Sequence, residues 1–215
     1  MLVHLSVPAS RTPETALRDG ADALWLDGAA GAVAEFIRAA RRTGRPVKLY
    51  VRLSSLEGVE AELDALMLAA PDGIILPARN GADVQHLGLK LAVREAELGI
   101  AEGTTRIIAL AGATPGAIFE LASFAGASVR LAALAFDSGA LAAALGTDDD
   151  APGTPLGLAR NLTLFAAKSA GVTAFLVDSG ATNFATLYQK AKQTGFDGIV
   201  TARPDAIAAI RSTAK

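Results

Sequence analysis

The rhythm of the chain constrains its fold more than any single residue does. Eight short β-rich runs recur roughly every 25 residues. They are LVHLSV (2–7), ALWLD (23–27), VKLYVRL (47–53), GIILP (73–77), RIIALAG (106–112), VRLAALAFD (129–137), AFLVD (174–178) and GIVTA (198–202). Several are apolar on both faces, as strands covered on both sides must be. Between them lie segments with helical spacing. AVAEFIRAARRTG (32–44) puts Val33, Phe36, Ile37 and Ala40 on one stripe and Arg38, Arg41 and Arg42 outside it. GVEAELDALMLAA (58–70) and ADVQHLGLKLAVREAELG (82–99) behave alike. Gly20, Gly44, Gly99, Gly126, Gly171 and Gly195 stand where helices should end. Eight strand–helix units with right-handed crossovers predict a (β/α)8 TIM barrel, read as one domain over 1–215 and short for the fold. The alternative, an open doubly wound sheet, lacks its signature: GAAGAVAEF (28–36) does not have the GxGxxG order. TDDDAPGTP (147–155) reads as a polar excursion at the barrel top, before the helix LGLARNLTLFAAKSAG.

Composition narrows the function classes. With 215 residues, 51% hydrophobic, there is enough apolar material for a large core. A net charge of −2 without a basic patch argues against nucleic acid as a partner. The absence of cysteine rules out disulfides and thiolate metal sites. The longest apolar runs are strand-length, so no membrane span is expected. The opening MLVHLSVPASRTPE lacks the order of a signal peptide, which predicts a cytoplasmic protein.

A barrel's site is built from the C-terminal ends of its strands. Six charged residues fall there: Asp27, Arg52, Arg79, Asp137, Asp178 and Arg203. The arginines suit carboxylate or phosphate, and the acids suit a cation or proton transfer. Each also has a plainer reading. Asp27, Asp137 and Asp178 precede helices and suit caps or turns. Arg79 and Arg203 flank turns and suit surface pairing. Arg52 differs, because it lies inside an otherwise apolar strand. His4 is placed to point into the barrel, and His86 lies on a helix. No HExxH, DxDxDG, GxSxG or P-loop pattern is present.

Several segments, in order, resemble the HpcH/HpaI aldolase/citrate lyase β-subunit family. They are VPASRTPETALRDGADALWLDGA (7–29), PVKLYVRL (46–53), PDGIILPARNGADV (71–84), GTTRIIAL (103–110), ARNLTLFAAKSAG (159–171) and GFDGIVTARPDAI (195–207). The resemblance implies a Mg²⁺-dependent carbon–carbon lyase acting on 2-oxo-acid or acyl-CoA substrates. It also implies a homo-oligomer or pairing with a paralogous subunit. Family members usually continue into a further helical region that is expected to be missing here.

Carried over by position, the resemblance keeps Arg52 as the carboxylate-binding arginine. The family's metal-binding glutamate after strand five falls on Gly112, and its acidic pair after strand six falls on Gly139 and Ala140. A second acidic pair falls on Ala29 and Ala30, with Asp27 kept. The lysine after strand four is Ala78 beside Arg79, the late histidine is Arg203, and an early arginine is Leu2. The expectation is a lyase-like barrel with its usual activity lost or altered. It has Arg52, Arg79 and Arg203 as substrate-binding candidates and Asp137, Asp27 and Asp178 as substitute metal ligands. The alternative is a non-catalytic subunit, regulator or carboxylate-binding barrel.

Overall fold

The computed structural model describes residues 1–178, 180 and 183–213. Eight parallel strands close into a ring in chain order: β1 (Leu2–Pro8), β2 (Ala23–Asp27), β3 (Lys48–Arg52), β4 (Gly73–Pro77), β5 (Arg106–Ala111), β6 (Leu131–Phe136), β7 (Thr173–Val177) and β8 (Gly198–Thr201). The last strand pairs with the first, Leu2 facing Gly198 and Leu5 facing Thr201. The outer layer comprises α1 (Pro13–Arg18), α2 (Ala30–Arg42), α3 (Glu60–Met67), α4 (Gly81–Glu97), α5 (Pro115–Phe119), α6 (Ser138–Leu145), α7 (Pro155–Ser169), α8 (Phe184–Thr194) and α9 (Pro204–Thr213). No helix of the described residues is long and apolar enough to cross a membrane.

Strand alternation divides the core in two. Outward residues such as Leu5, Leu26, Val51, Ile74 and Leu134 pack under the helices. Inward residues form a separate cluster of Trp25, Ile75, Ile108, Leu110, Ala133, Ala135, Phe175 and Val200, with Tyr50 and Val177 against it. Apolar residues on both faces give the runs their unbroken hydrophobicity. The inner cluster needs gaps for its rings. A Cβ on Gly198 would stand 2.2 Å from Phe175 Cε1, and one on Gly73 would stand 2.9 Å from Tyr50 Cδ1. The predicted cap Gly195 ends α8 with φ 99°, a region open to glycine at little cost.

The start of the ring is tied by three aspartates that immediately precede even-numbered strands. Asp22 accepts the Val3 N–H at 2.7 Å, and its own N–H donates to the Val3 carbonyl at 2.8 Å. Asp72 does the same with Leu49, at 2.8 and 2.9 Å, and Asp197 with Ala174, at 2.8 and 2.9 Å. Each carboxylate also meets a cation: Arg211 on Asp22, Arg41 and Lys48 on Asp72, and Lys168 on Asp197. The fourth strand pair uses another device. Glu95, wholly buried, reaches from α4 to the Thr105 and Gly103 N–H groups and pairs with Arg130 at 2.7 Å. Burial pushes the Asp72, Asp197 and Glu95 carboxyls up, but bonds from their cationic and backbone partners outweigh it and hold all three below their usual range.

His4 does point into the barrel. Its Nδ1 accepts from Trp25 Nε1 at 2.9 Å, and its ring lies 4.3 Å from that of Phe175. Burial lowers its pKa to about 4, opposed by the charge of Asp22. The unfolded chain therefore takes up a proton at His4 near pH 6.5, while the folded barrel resists until about pH 4. Stability at pH 7 should fall between these values by roughly 3 kcal/mol, read as a lower urea midpoint. His4→Phe should flatten that limb. Asp72, Asp197 and Glu95 act on a lower limb: their folded carboxyls sit below their unfolded values, so their contribution is lost as pH drops below about 4. Asp72→Ala should cost about 2 kcal/mol by leaving the Leu49 N–H without its acceptor and removing the counter-charge of Lys48 and Arg41.

Candidate functional site

Alternation also decides what faces the mouth of the barrel. Asp27 shares the inward face of Trp25, Arg52 that of Tyr50, and Asp137 that of Ala135. A cleft of about 640 Å³ opens there, lined among others by Asp27, Arg52, Ser54, Glu62 and Pro77. Arg52 is partly exposed, and its Nη2 lies 4.0 Å from Asp137 Oδ2. The other oxygen of Asp137 accepts the Gly139 N–H at 3.1 Å as the N-cap of α6. Asp137 therefore acts both as a cap and as a counter-charge to Arg52.

The remaining sequence candidates lie elsewhere. Asp178 and Arg203 pair at 2.8 Å, and the same Asp178 oxygen accepts from the Thr201 hydroxyl at 2.9 Å. The Asp178 side chain is 2% exposed, and its other oxygen accepts the Gly180 N–H. Arg203 also lies over the Phe184 ring, 5.5 Å from its centre. Neither residue lines the mouth cleft. Arg79 is exposed and gripped by Asp83 through its backbone N–H, Nε and Nη2. Thr114, the polar residue after β5, caps α5 by accepting from the Ala117 N–H at 3.2 Å. His86 is exposed on α4.

Sequence reading missed Glu62. It sits in the first turn of α3 and lines the same cleft as Arg52. Burial raises the pKa of its carboxyl. A helix pattern hides such a residue, because an acid near a helix start looks like an ordinary solvated group.

A Mg²⁺ site needs several oxygens converging in octahedral geometry, with at least one or two carboxylates free to bind. The residues present do not fit that need. One oxygen of Asp137 is engaged as a cap, and the other faces Arg52 at 4.0 Å, whose positive charge opposes the entry of a cation there. Gly112 and Gly139 bring no side chain. Gly112 has φ 75°, and a Cβ there would lie 2.8 Å from Ile118 Cδ1, so its neighbour already occupies the space. Among the described residues, no three histidines or acids are grouped to hold a metal.

Comparison with known proteins fits this geometry into a family. The family model described as HpcH/HpaI aldolase/citrate lyase matches residues 9–204. The chain belongs to this family. Citrate lyase subunit beta of Escherichia coli (strain K12) is 35% identical over 162 residues, 72% of this chain and 53% of the relative. The match thus spans about half the length of that curated relative. An HpcH/HpaI aldolase/citrate lyase family protein from Burkholderia cenocepacia J2315 superimposes with a TM-score of 0.79 at 19% identity, covering 99% of this chain and 91% of the other. Protein CitE from Mycobacterium tuberculosis, solved in complex with magnesium and acetoacetate, gives a TM-score of 0.71 at 24% identity, covering 98% and 89%. The structural likenesses establish the TIM-barrel fold common to all three.

The pairing of Asp178 with Arg203 separates stability from ligand binding. Asp178→Ala should cost about 2 kcal/mol, because it leaves Arg203 and the Thr201 hydroxyl without their acceptor. Affinity for oxalate at the mouth, measured by calorimetry, should remain within about twofold of the original.

Proposed function

We propose that this chain is a carboxylate-binding barrel of the citrate lyase β-subunit/HpcH–HpaI aldolase type, with the usual Mg²⁺-dependent carbon–carbon cleavage lost or altered. The observation that carries this reading is the arrangement around Asp137. One of its oxygens caps α6 and the other faces Arg52. Arg52 is held by a counter-ion at 4.0 Å, longer than a hydrogen bond, so its guanidinium can still take a ligand carboxylate in the fork geometry that arginine favours. The Ser54 hydroxyl, in the same cleft, would supply a further donor to that carboxylate. The ligand class is a small carboxylate or the acyl end of an acyl-CoA. A cytoplasmic location and assembly with further copies or a paralogous subunit belong to the same reading; light scattering on the purified chain tests the assembly.

A second reading is supported by Glu62. A carboxyl whose pKa is raised by burial, in the same cleft as Arg52, can hold and release a proton near the ligand, which an aldol cleavage requires. On that reading the chain is a lyase with a rebuilt site, in which Asp137 would have to leave its cap and its place facing Arg52 to serve, with Asp27, in place of the family's metal ligands.

Calorimetry with oxalate, oxaloacetate and acetoacetate, with and without Mg²⁺, separates the two. Binding should be insensitive to Mg²⁺, and Arg52→Ala should weaken it more than about tenfold. Asp137→Asn keeps the cap and removes the competing charge, so it should tighten oxalate about threefold. Mg²⁺-dependent turnover of citryl-CoA, malyl-CoA or an oxo-acid aldol, abolished by Asp137→Asn, would sink the first reading and establish the second.

A further inference from the structure

A second cleft, of about 680 Å³, lies beyond the ends of β6 and β7, between α6, α7 and α8. Its apolar wall includes Phe136, Leu156, Leu176 and Leu187; its cations are Arg160 and Lys190, and its acids are Asp148 and Asp150 from the loop before α7. Such a volume is typical of sites for small organic ligands. None of these residues lines the mouth cleft.

Arg160 is the unusual member. It projects from the middle of α7 with its side chain only 6% exposed. A guanidinium so placed calls for compensation. What it has is one acid: Nη1 donates to the Asp150 carboxylate at 2.6 Å and to the Asp150 carbonyl at 3.1 Å. Its Nε and Nη2 make no bond to a described residue. Lys190 Nζ stands 3.8 Å from the same Asp150 oxygen. Two cations thus converge on one carboxylate, and that carboxylate is half exposed.

Asp150 comes from the polar loop at 147–154, and the loop is shaped to deliver it. Asp149 accepts the Ala151 N–H at 2.9 Å, and the Thr154 hydroxyl donates to carbonyls of Asp149 and Ala151. The loop lies flat on α7, where a Cβ on Gly157 would be 2.2 Å from the Ala151 carbonyl oxygen. Asp150 is therefore a carboxylate carried by the chain into a pocket with two cations and an apolar back wall.

We propose that this cleft is a second binding site for an amphiphilic anion, a carboxylate or phosphate head on an alkyl chain, and that Asp150 occupies the head position when the site is empty. The head would bond Arg160 and Lys190, and the chain would lie against Leu156, Leu176 and Leu187. Binding requires Asp150 to withdraw, so the free chain holds the site partly closed. This inference stands apart from the reading of the mouth.

Hexanoate and hexyl phosphate are the probes, with acetate and inorganic phosphate as head-only controls, titrated by calorimetry and by amide shifts in NMR. Hexanoate or hexyl phosphate should bind at least about tenfold more tightly than its head alone. Whichever of the two binds more tightly identifies the head. Asp150→Asn should tighten binding about tenfold by removing the internal competitor. Arg160→Gln should abolish it, and Lys190→Ala should weaken it several-fold even if Arg160→Gln fails to fold. Arg52→Ala should leave it unchanged, which separates this site from the mouth. Loss of hexanoate binding in Arg52→Ala, equal affinity for acetate and hexanoate, or no gain in Asp150→Asn would each overturn the proposal.

Discussion

The barrel rests on a carboxylate bound to a backbone amide at the point where strands begin. A parallel ring has no hairpins to set its register, so neighbouring strands must be aligned by something other than a tight turn. Asp22, Asp72 and Asp197 supply that alignment. Each exchanges two hydrogen bonds with one residue at the start of the preceding strand, so the even strand cannot slide without breaking both. Their repetition around the ring gives three of the four strand pairs the same base. Glu95 and Arg130 anchor the fourth pair from α4, with a buried ion pair in place of the aspartate.

A fixed base determines what reaches the opposite rim. Because side chains alternate along each strand, locking the register also locks which end residues face the axis. Tyr50 and Trp25 fill the lower layer, so Arg52 and Asp27, two residues on, must face the mouth. Asp178 is one residue past the inward Val177, and its neighbours become Thr201 and Arg203. A single step along the chain thus separates a group that can meet a ligand from one that ties β7 to β8.

This explains what could be read from the sequence. The strands were legible because burial on both faces leaves continuous apolar runs; the seventh and eighth runs match β7 and β8 to within one residue. The sixth run begins two residues before β6 does. Val129 looks like a strand residue but is exposed, and Arg130 turns to Glu95. Arg52 stood out as a charge in an apolar strand. The pairings of Arg79 with Asp83 and of Arg203 with Asp178 did not, since they form only once turns and neighbouring strands are in place. Glu62 and Arg160 were hidden within helix patterns. For Arg160 the decisive signal is burial, which a helical stripe alone does not reveal.

The crowding at residue 112 bears on how such a site can change. An acid introduced there would meet an unfavourable backbone conformation and the tip of Ile118 together. The Ile118 tip, the movable end of a partly exposed side chain, can shift aside, so the lasting cost is the backbone, which at φ 75° favours glycine. The left-handed turn thus acts as a filter on the position, set by the path of the chain and independent of what packs around it.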